Sequence, residues 1–228
     1  MLKYIKYIIK SILTIIFGLY SSFISYKQEI ALTFDDGPHP VFTEMILELL
    51  KKHNVKATFF VVGNKVKKYS NLYNKIISHE HCIGNHSYSH NLPSHSTITV
   101  FFKQLNKTQQ LIYNPCKFFR PPQGRINFFK ILLLKLLRYK IIVWTFHVQD
   151  FENKNMREYL EQLNNKKKPG SIILLHDNVY DGDTVTVANR NELIKALDIF
   201  LKENVDKYNF VTLKQVHKKL CKQLWIQT

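Results

Sequence analysis

Hydrophobic and polar positions change their period again and again along this chain. From residue 29 onward, short β-prone apolar runs alternate with segments whose apolar positions recur at three- and four-residue intervals. Ala57-Thr58-Phe59-Phe60-Val61-Val62 reads as a buried strand, whereas Ile46, Leu47, Leu49 and Leu50 mark one face of a helix. The pattern predicts strands over 29–34, 57–62, 82–86, 117–120, 141–147, 171–176 and 209–212. It predicts helices over 41–53, 64–79, 97–112, 126–138, 154–164, 188–203 and 213–223. Such alternation builds a parallel sheet wrapped by helices, because each strand needs a covered crossover to its parallel neighbour. Seven strand-helix repeats suit an irregular (β/α)7-type barrel, with chemistry gathered at the carboxyl ends of its strands.

The amino-terminal segment follows a different pattern. Lys3, Lys6 and Lys10 precede a charge-free run from Ser11 to Tyr26, an order of charge and apolar surface that predicts export. As a helix that run spans about 24 Å, short of the ~30 Å hydrocarbon core. Ile5, Ile8 and Ile9 extend its apolar surface, and lysine side chains can snorkel. No pair of small residues between Tyr20 and Ser25 makes a good cleavage site. The expectation is therefore an N-terminal hydrophobic helix within residues 1–28, an uncleaved anchor in preference to a cleaved signal peptide. The domain at 29–228 is then outside the cytoplasm, membrane-anchored or secreted. With only Lys27 and Gln28 between run and first strand, the strand would lead outward and the catalytic face would point away from the bilayer.

Composition narrows the partners. The chain has 228 residues, 45% of them hydrophobic, enough to bury the core of one domain without staples. Its net charge is +16, but five of the 33 basic residues are Arg and the lysines are scattered. A nucleic-acid partner would call for clustered Arg, stacking aromatics or a known module, and none is present. Anionic lipid or cell-wall polymer is the better use of the charge. Cys82, Cys116 and Cys221 are odd in number and lack metal or redox spacing, so they read as small hydrophobes.

The chemistry sits at strand ends. Thr33-Phe34-Asp35-Asp36-Gly37-Pro38 places two adjacent carboxylates at the end of an apolar run, and adjacent residues leaving a strand point apart. His86-Ser87-Tyr88-Ser89-His90 places two imidazoles at i and i+4, a spacing that lets both face one cation on a helical turn. One Asp with two His makes a three-ligand metal set, and the second Asp is left as a base. Arg120-Pro121-Pro122-Gln123-Gly124 follows the strand Lys117-Phe118-Phe119. Asp150 ends the strand Ile141-Ile142-Val143-Trp144, and His176-Asp177 ends Ser171-Ile172-Ile173-Leu174-Leu175. Each alone reads as a turn, a surface coincidence or a structural ion pair. Five strand ends with complementary polar groups do not.

In this order the motifs resemble those of the polysaccharide deacetylases, carbohydrate esterase family 4, with its NodB-like domain. The resemblance covers roughly residues 29–216. It implies that Asp36, His86 and His90 hold one divalent ion, zinc before Co2+, Ni2+ or Mn2+. It implies that Asp35 is the catalytic base, that Arg120 orients it, that His176 is the general acid and that Asp150 tunes His176. The backbone N–H near Gln123 would help hold the oxyanion. Three positions depart from the family pattern: Gln123 stands where Tyr is common, His147 where an outer Asp is common, and Phe151 where Trp is common. Phe151 has less bulk and no indole N–H, which loosens the wall of an acetyl pocket; His147 reads as a structural position.

The implied activity is removal of N-acetyl groups from N-acetylglucosamine units of a polysaccharide, peptidoglycan first and chitin-like polymers next, by a monomeric enzyme. An O-acetyl esterase or another amidohydrolase with the same metal site is an alternative. So is a degenerate glycan-binding protein, against which the retention of both a base and an acid argues, since binding needs neither.

Overall fold

The structure is a computed structural model, and it describes residues 19–91, 93, 96–152, 154–178 and 190–223. Its strands are β1 (Leu19–Phe23), β2 (Glu29–Asp35), β3 (Thr58–Val61), β4 (Cys82–Asn85), β5 (Phe118–Phe119), β6 (Lys140–Ile141), β7 (Phe146–His147), β8 (Ile172–His176), β9 (Asn209–Phe210) and β10 (Leu220–Gln223). The helices are α1 (Phe42–Lys52), α2 (Gly63–Lys68), α3 (Ser70–Ser78), α4 (Ile98–Gln109), α5 (Phe128–Leu136), α6 (Met156–Lys166), α7 (Arg190–Asn204) and α8 (Leu213–Val216).

The main sheet is parallel throughout and runs β6-β5-β4-β3-β2-β8-β7, with β9 added along the start of β2. It is a curled α/β half-barrel, the arrangement expected of a (β/α)7 fold. Period-two alternation sorts β2 between two apolar layers. Ile30, Leu32 and Phe34 face outward and pack with Phe59, Val61, Ile173 and Leu175 under Ile46, Leu50, Leu197 and Phe200 of the surrounding helices. Ala31 faces inward with Phe60, Phe118, Ile142 and Ile172. Burying each large apolar side chain contributes about 1.5–3 kcal/mol, so both layers hold the strands in register. That register pairs Asp35 with both Phe60 and His176, Val61 with Asn85, and Asn85 with Phe119. The segments that follow β2, β4, β5 and β8 therefore leave the sheet at one end.

Several expectations need correction. The charge-free run does not continue as a helix to Tyr26. Leu19–Phe23 is a strand that pairs antiparallel with β10, with Leu19 and Phe23 buried. It lies across the opening between the two edges of the sheet: Tyr20 O accepts from Val143 N at 2.8 Å, Ser21 O from Thr145 Oγ1 at 2.6 Å, and Gly170 O from Phe23 N at 3.0 Å. The globular fold thus begins before residue 29. Among the described residues no helix is long and apolar enough to cross a membrane, and the rest of the anchor expectation, residues 1–18, lies outside them. The strand expected over 141–147 breaks in two because residues 142–145 carry the chain from one sheet edge to the other, bonding β1 on the way. The helix expected over 213–223 stops at Val216 so that Leu220–Gln223 can pair with β1. The helix expected over 64–79 divides at Tyr69, whose φ of −121° and ψ of 50° are not helical.

Candidate active site

Asp35 and Asp36 leave the end of β2 in different directions. Asp35 Oδ1 accepts from Arg120 Nη1 at 2.7 Å, and Arg120 also donates to Thr33 Oγ1 at 2.8 Å and to Val143 O at 3.0 Å. Arg120 is wholly buried, its guanidinium carbon 4.1 Å from the centre of the Phe60 ring. Thr33 and Asp35 share the inward face of β2 with Ala31, so the strand's alternation is what aims Asp35 at this arginine. Burial pulls the guanidinium pKa down, and the Asp35 carboxylate works against that.

Asp36 turns away into the left-handed region, φ 77°, a conformation costly for a residue with a side chain and held here by its surroundings. Its Oδ1 is 3.2 Å from His86 Nε2 and 3.0 Å from His90 Nε2, and the three ligand atoms lie within 4.8 Å of one another. The imidazoles are not brought together by a helical turn, as their spacing suggested. His86-Ser87-Tyr88-Ser89-His90 is irregular loop in which Ser87 (φ 66°) and His90 (φ 58°) are left-handed. Asn85 Oδ1 accepts from Ser87 N, and Gln104 Oε1 of α4 accepts from Ser89 N, each at 2.9 Å, which fixes the loop. His86 Nδ1 donates to Arg120 O at 2.8 Å, leaving the Nε2 lone pair for the cluster. The Asp36 carboxyl sits well below the usual range although burial pushes it up, because the two imidazoles oppose that push. Two imidazoles, that of His86 with its tautomer fixed, and an ionised carboxylate are the donor set of a catalytic zinc-type site, so the residues fit a divalent ion.

His176 ends β8 beside Asp35. Asp150 accepts from its backbone N–H and from its ring Nδ1, both at 2.7 Å. Burial lowers the imidazole pKa, but the buried Asp150 carboxylate outweighs it and the His176 pKa rises to about 9. Asp150 does not end a strand. It sits in a turn beyond β7, behind left-handed Gln149 (φ 54°). Gln123 occupies a left-handed position (φ 53°) in the 3-10 turn Pro122–Gly124, whose Gly124 and Arg125 N–H groups bond Pro121 and Pro122 carbonyls. A Cβ on Gly124 would stand 2.8 Å from the Trp144 ring, so glycine there lets the turn close on Trp144.

Asp35, Asp36, His86, His90, Gln123, Arg125, Trp144, His147, Phe151, Leu174 and His176 line one cavity of about 520 Å³. His147 packs 6.1 Å from Trp144 and 5.8 Å from Phe151 between ring centres, its Nδ1 accepting from Gln149 N at 3.2 Å. Phe151 is half-exposed at the rim. Burial lowers the His147 pKa, which keeps the imidazole neutral.

Three features escaped the sequence reading. Arg190, fully buried at the start of α7, donates to Asp150 O and lies 3.4 Å from Asp150 Oδ2. Trp144 supplies a cavity wall. Asp177 accepts from Thr43 Oγ1 at 2.5 Å and packs against Gly37, where a Cβ would stand 2.0 Å from its Oδ2; burial raises the Asp177 pKa to about 7. Only the glycine of Asp-Asp-Gly-Pro was a signal for this last contact.

Residues 25–142 match the family described as polysaccharide deacetylase. A peptidoglycan-N-acetylglucosamine deacetylase of Bacillus cereus is 37% identical over 66% of this chain and 56% of its own length. The peptidoglycan-N-acetylmuramic acid deacetylase PdaC of Bacillus subtilis is 33% identical over 84% of this chain and 39% of its own length, so the chain spans about half or less of each. Among solved structures, a peptidoglycan N-acetylglucosamine deacetylase in complex with a naphthalenyl N-oxidanyl-benzamide is 31% identical. It superposes with a TM-score of 0.79 over 90% of this chain and 94% of its own. By sequence and by fold, the chain belongs to the polysaccharide deacetylase family.

Proposed function

We propose that the chain is a metal-dependent hydrolase that removes N-acetyl groups from N-acetylglucosamine units of a polysaccharide, with peptidoglycan as the polymer. One observation carries the reading: Asp35, paired with buried Arg120, and His176, paired with buried Asp150, line the same cavity as the Asp36, His86, His90 cluster. Relatives named for peptidoglycan deacetylation support the substrate class.

An N-acetyl amide is a weak electrophile with a poor leaving group, so its hydrolysis needs activation at both ends. A divalent ion on Asp36, His86 and His90, zinc by the donor set, supplies Lewis acidity and lowers the pKa of water from 15.7 towards about 7. Asp35 takes the proton of the attacking water, and Arg120 holds its carboxylate aimed. His176, protonated at neutral pH, gives its proton to the departing amine. Asp150 fixes the tautomer, with Nδ1–H bound and Nε2–H turned to the reaction. The Gln123 N–H steadies the developing oxyanion, and Trp144, His147 and Phe151 form the wall against which the acetyl methyl packs. The domain works outside the cytoplasm, with residues 1–18 as anchor or export signal.

The test is acetate release from peptidoglycan, chitooligosaccharide and acetylated xylan, with and without chelator. Sugar analysis then tells deacetylated glucosamine from deacetylated muramic acid. Release from acetylated xylan alone would replace the amidase reading with an esterase.

A further inference from the structure

We infer that the flank of the barrel carrying α5 is a docking surface for an anionic lipid bilayer. The observations are independent of the catalytic cluster. Helix α5 reads Phe-Phe-Lys-Ile-Leu-Leu-Leu-Lys-Leu, and its inward side is satisfied by Leu134, buried with Phe101, Leu105 and Phe119. Its outward side is also apolar. Phe129, Leu132 and Leu136, at i, i+3 and i+7, form one stripe and are 63%, 42% and 74% exposed. Phe102 of the neighbouring α4 is exposed as well.

Charge singles out the occupant. Between Glu80 and Asp150 the chain has nine Lys and Arg residues and no Asp or Glu. Lys103, Lys107, Lys117, Arg125 and Arg138 of that stretch are exposed. An apolar stripe among cations is the pattern of a helix that lies in the headgroup region of an anionic bilayer. A second copy of this face would meet it with like charge. A polyanionic wall polymer would match the charge but offers nothing to the phenyl and leucyl groups.

The chain's own course agrees. Leu19, the first described residue, is buried in the same cluster as Leu134 of α5. An anchor in residues 1–18 would bring this flank to the membrane. Because α5 returns antiparallel to the strands it connects, the barrel then lies on its side. The cavity, whose Gln123 and Arg125 directly precede α5, opens along the membrane surface and not away from it.

The test uses the full chain with Cys116→Ser and Cys221→Ser, labelled with an environment-sensitive fluorophore at Leu136→Cys or, separately, Phe129→Cys. Glu203→Cys on α7 is the control. With vesicles of phosphatidylcholine and phosphatidylglycerol, labels at 136 and 129 should shift to the blue and be quenched by acyl-chain-brominated lipid. The label at 203 should do neither, and pure phosphatidylcholine should give a much smaller effect. Unquenched labels at 136 and 129 on chain that co-sediments with vesicles would overturn the inference, since residues 1–18 alone would then be binding. Equal quenching at 203, or equal effects in neutral vesicles, would overturn it too. So would a blue shift that grows with protein concentration in the absence of lipid, which would mark a second copy as the occupant.

Discussion

Asp150 grips His176 twice, Oδ2 on the backbone N–H and Oδ1 on the ring Nδ1, each at 2.7 Å. The first bond fixes where the residue leaves β8, and the second fixes which ring nitrogen faces the cavity. Arg190 bonds the Asp150 backbone carbonyl and lies 3.4 Å from Oδ2, which steadies the turn that carries the carboxylate. A proton held this way is available at neutral pH.

The pH dependence follows with a definite sign. The His176 pKa is raised from 6.5 to about 9, so the acid stays loaded below that and is lost as pH rises through it. Deacetylase kcat/KM should therefore fall on the alkaline side near pH 9. Its stabilising pairing with Asp150 is complete below the unfolded value and fades over the same rise. In Asp150→Asn, burial acts on the imidazole with the bonded carboxylate gone and only Asp36 and Asp35 left to oppose it. The alkaline limb should move to lower pH, as a pH series of kcat/KM would show. An unmoved limb would assign it to another group.

His176→Ala should separate two substrates. Amide cleavage loses its proton donor and should slow by about 10²–10⁴-fold, whereas an activated aryl acetate, whose leaving group departs as an anion, should lose far less. Parallel assays on N-acetylglucosamine oligomers and an aryl acetate measure the difference. Equal losses would remove His176 from the role of acid.

Arg120→Met should leave Asp35 as an uncompensated charge in a site where both partners are buried. The expected cost is about 3–5 kcal/mol of stability, measured by urea unfolding, together with loss of turnover. Retained stability would mean that water reaches Asp35 freely.

Gly170 tests the place of β1. At φ 84° a Cβ there would stand 2.2 Å from Phe23 O, the turn on which β1 closes. Gly170→Ala should destabilise the fold by about 1–3 kcal/mol, read as a lowered denaturation midpoint at an unchanged m-value. No change would place Leu19–Phe23 elsewhere.

What was legible in the sequence, and what was not, follows from the range of the interactions. Asp35, Asp36, His86, Arg120 and His176 adjoin strands whose apolar runs are unmistakable, and a parallel sheet then carries their segments to one end. The i, i+4 spacing of His86 and His90 suggested a helix because spacing carries no φ. The left-handed Ser87 and His90 are set by Asn85 and by Gln104, the latter from another element. Leu19–Phe23 was hidden because Ser21, the buried middle of its alternation, is polar, and its partner β10 lies some two hundred residues on. Arg190 was missed because nothing near it in sequence names Asp150.

The most direct measurement is acetate release from N-acetylglucosamine oligomers by metal-loaded chain, followed by mass spectrometry beside metal content. Wild type should bind one divalent ion per chain and release acetate until a chelator strips it. Asp35→Asn should keep the ion and lose turnover, and His90→Ala should lose both. Undiminished acetate release by chelated wild type or by His90→Ala would contradict the account.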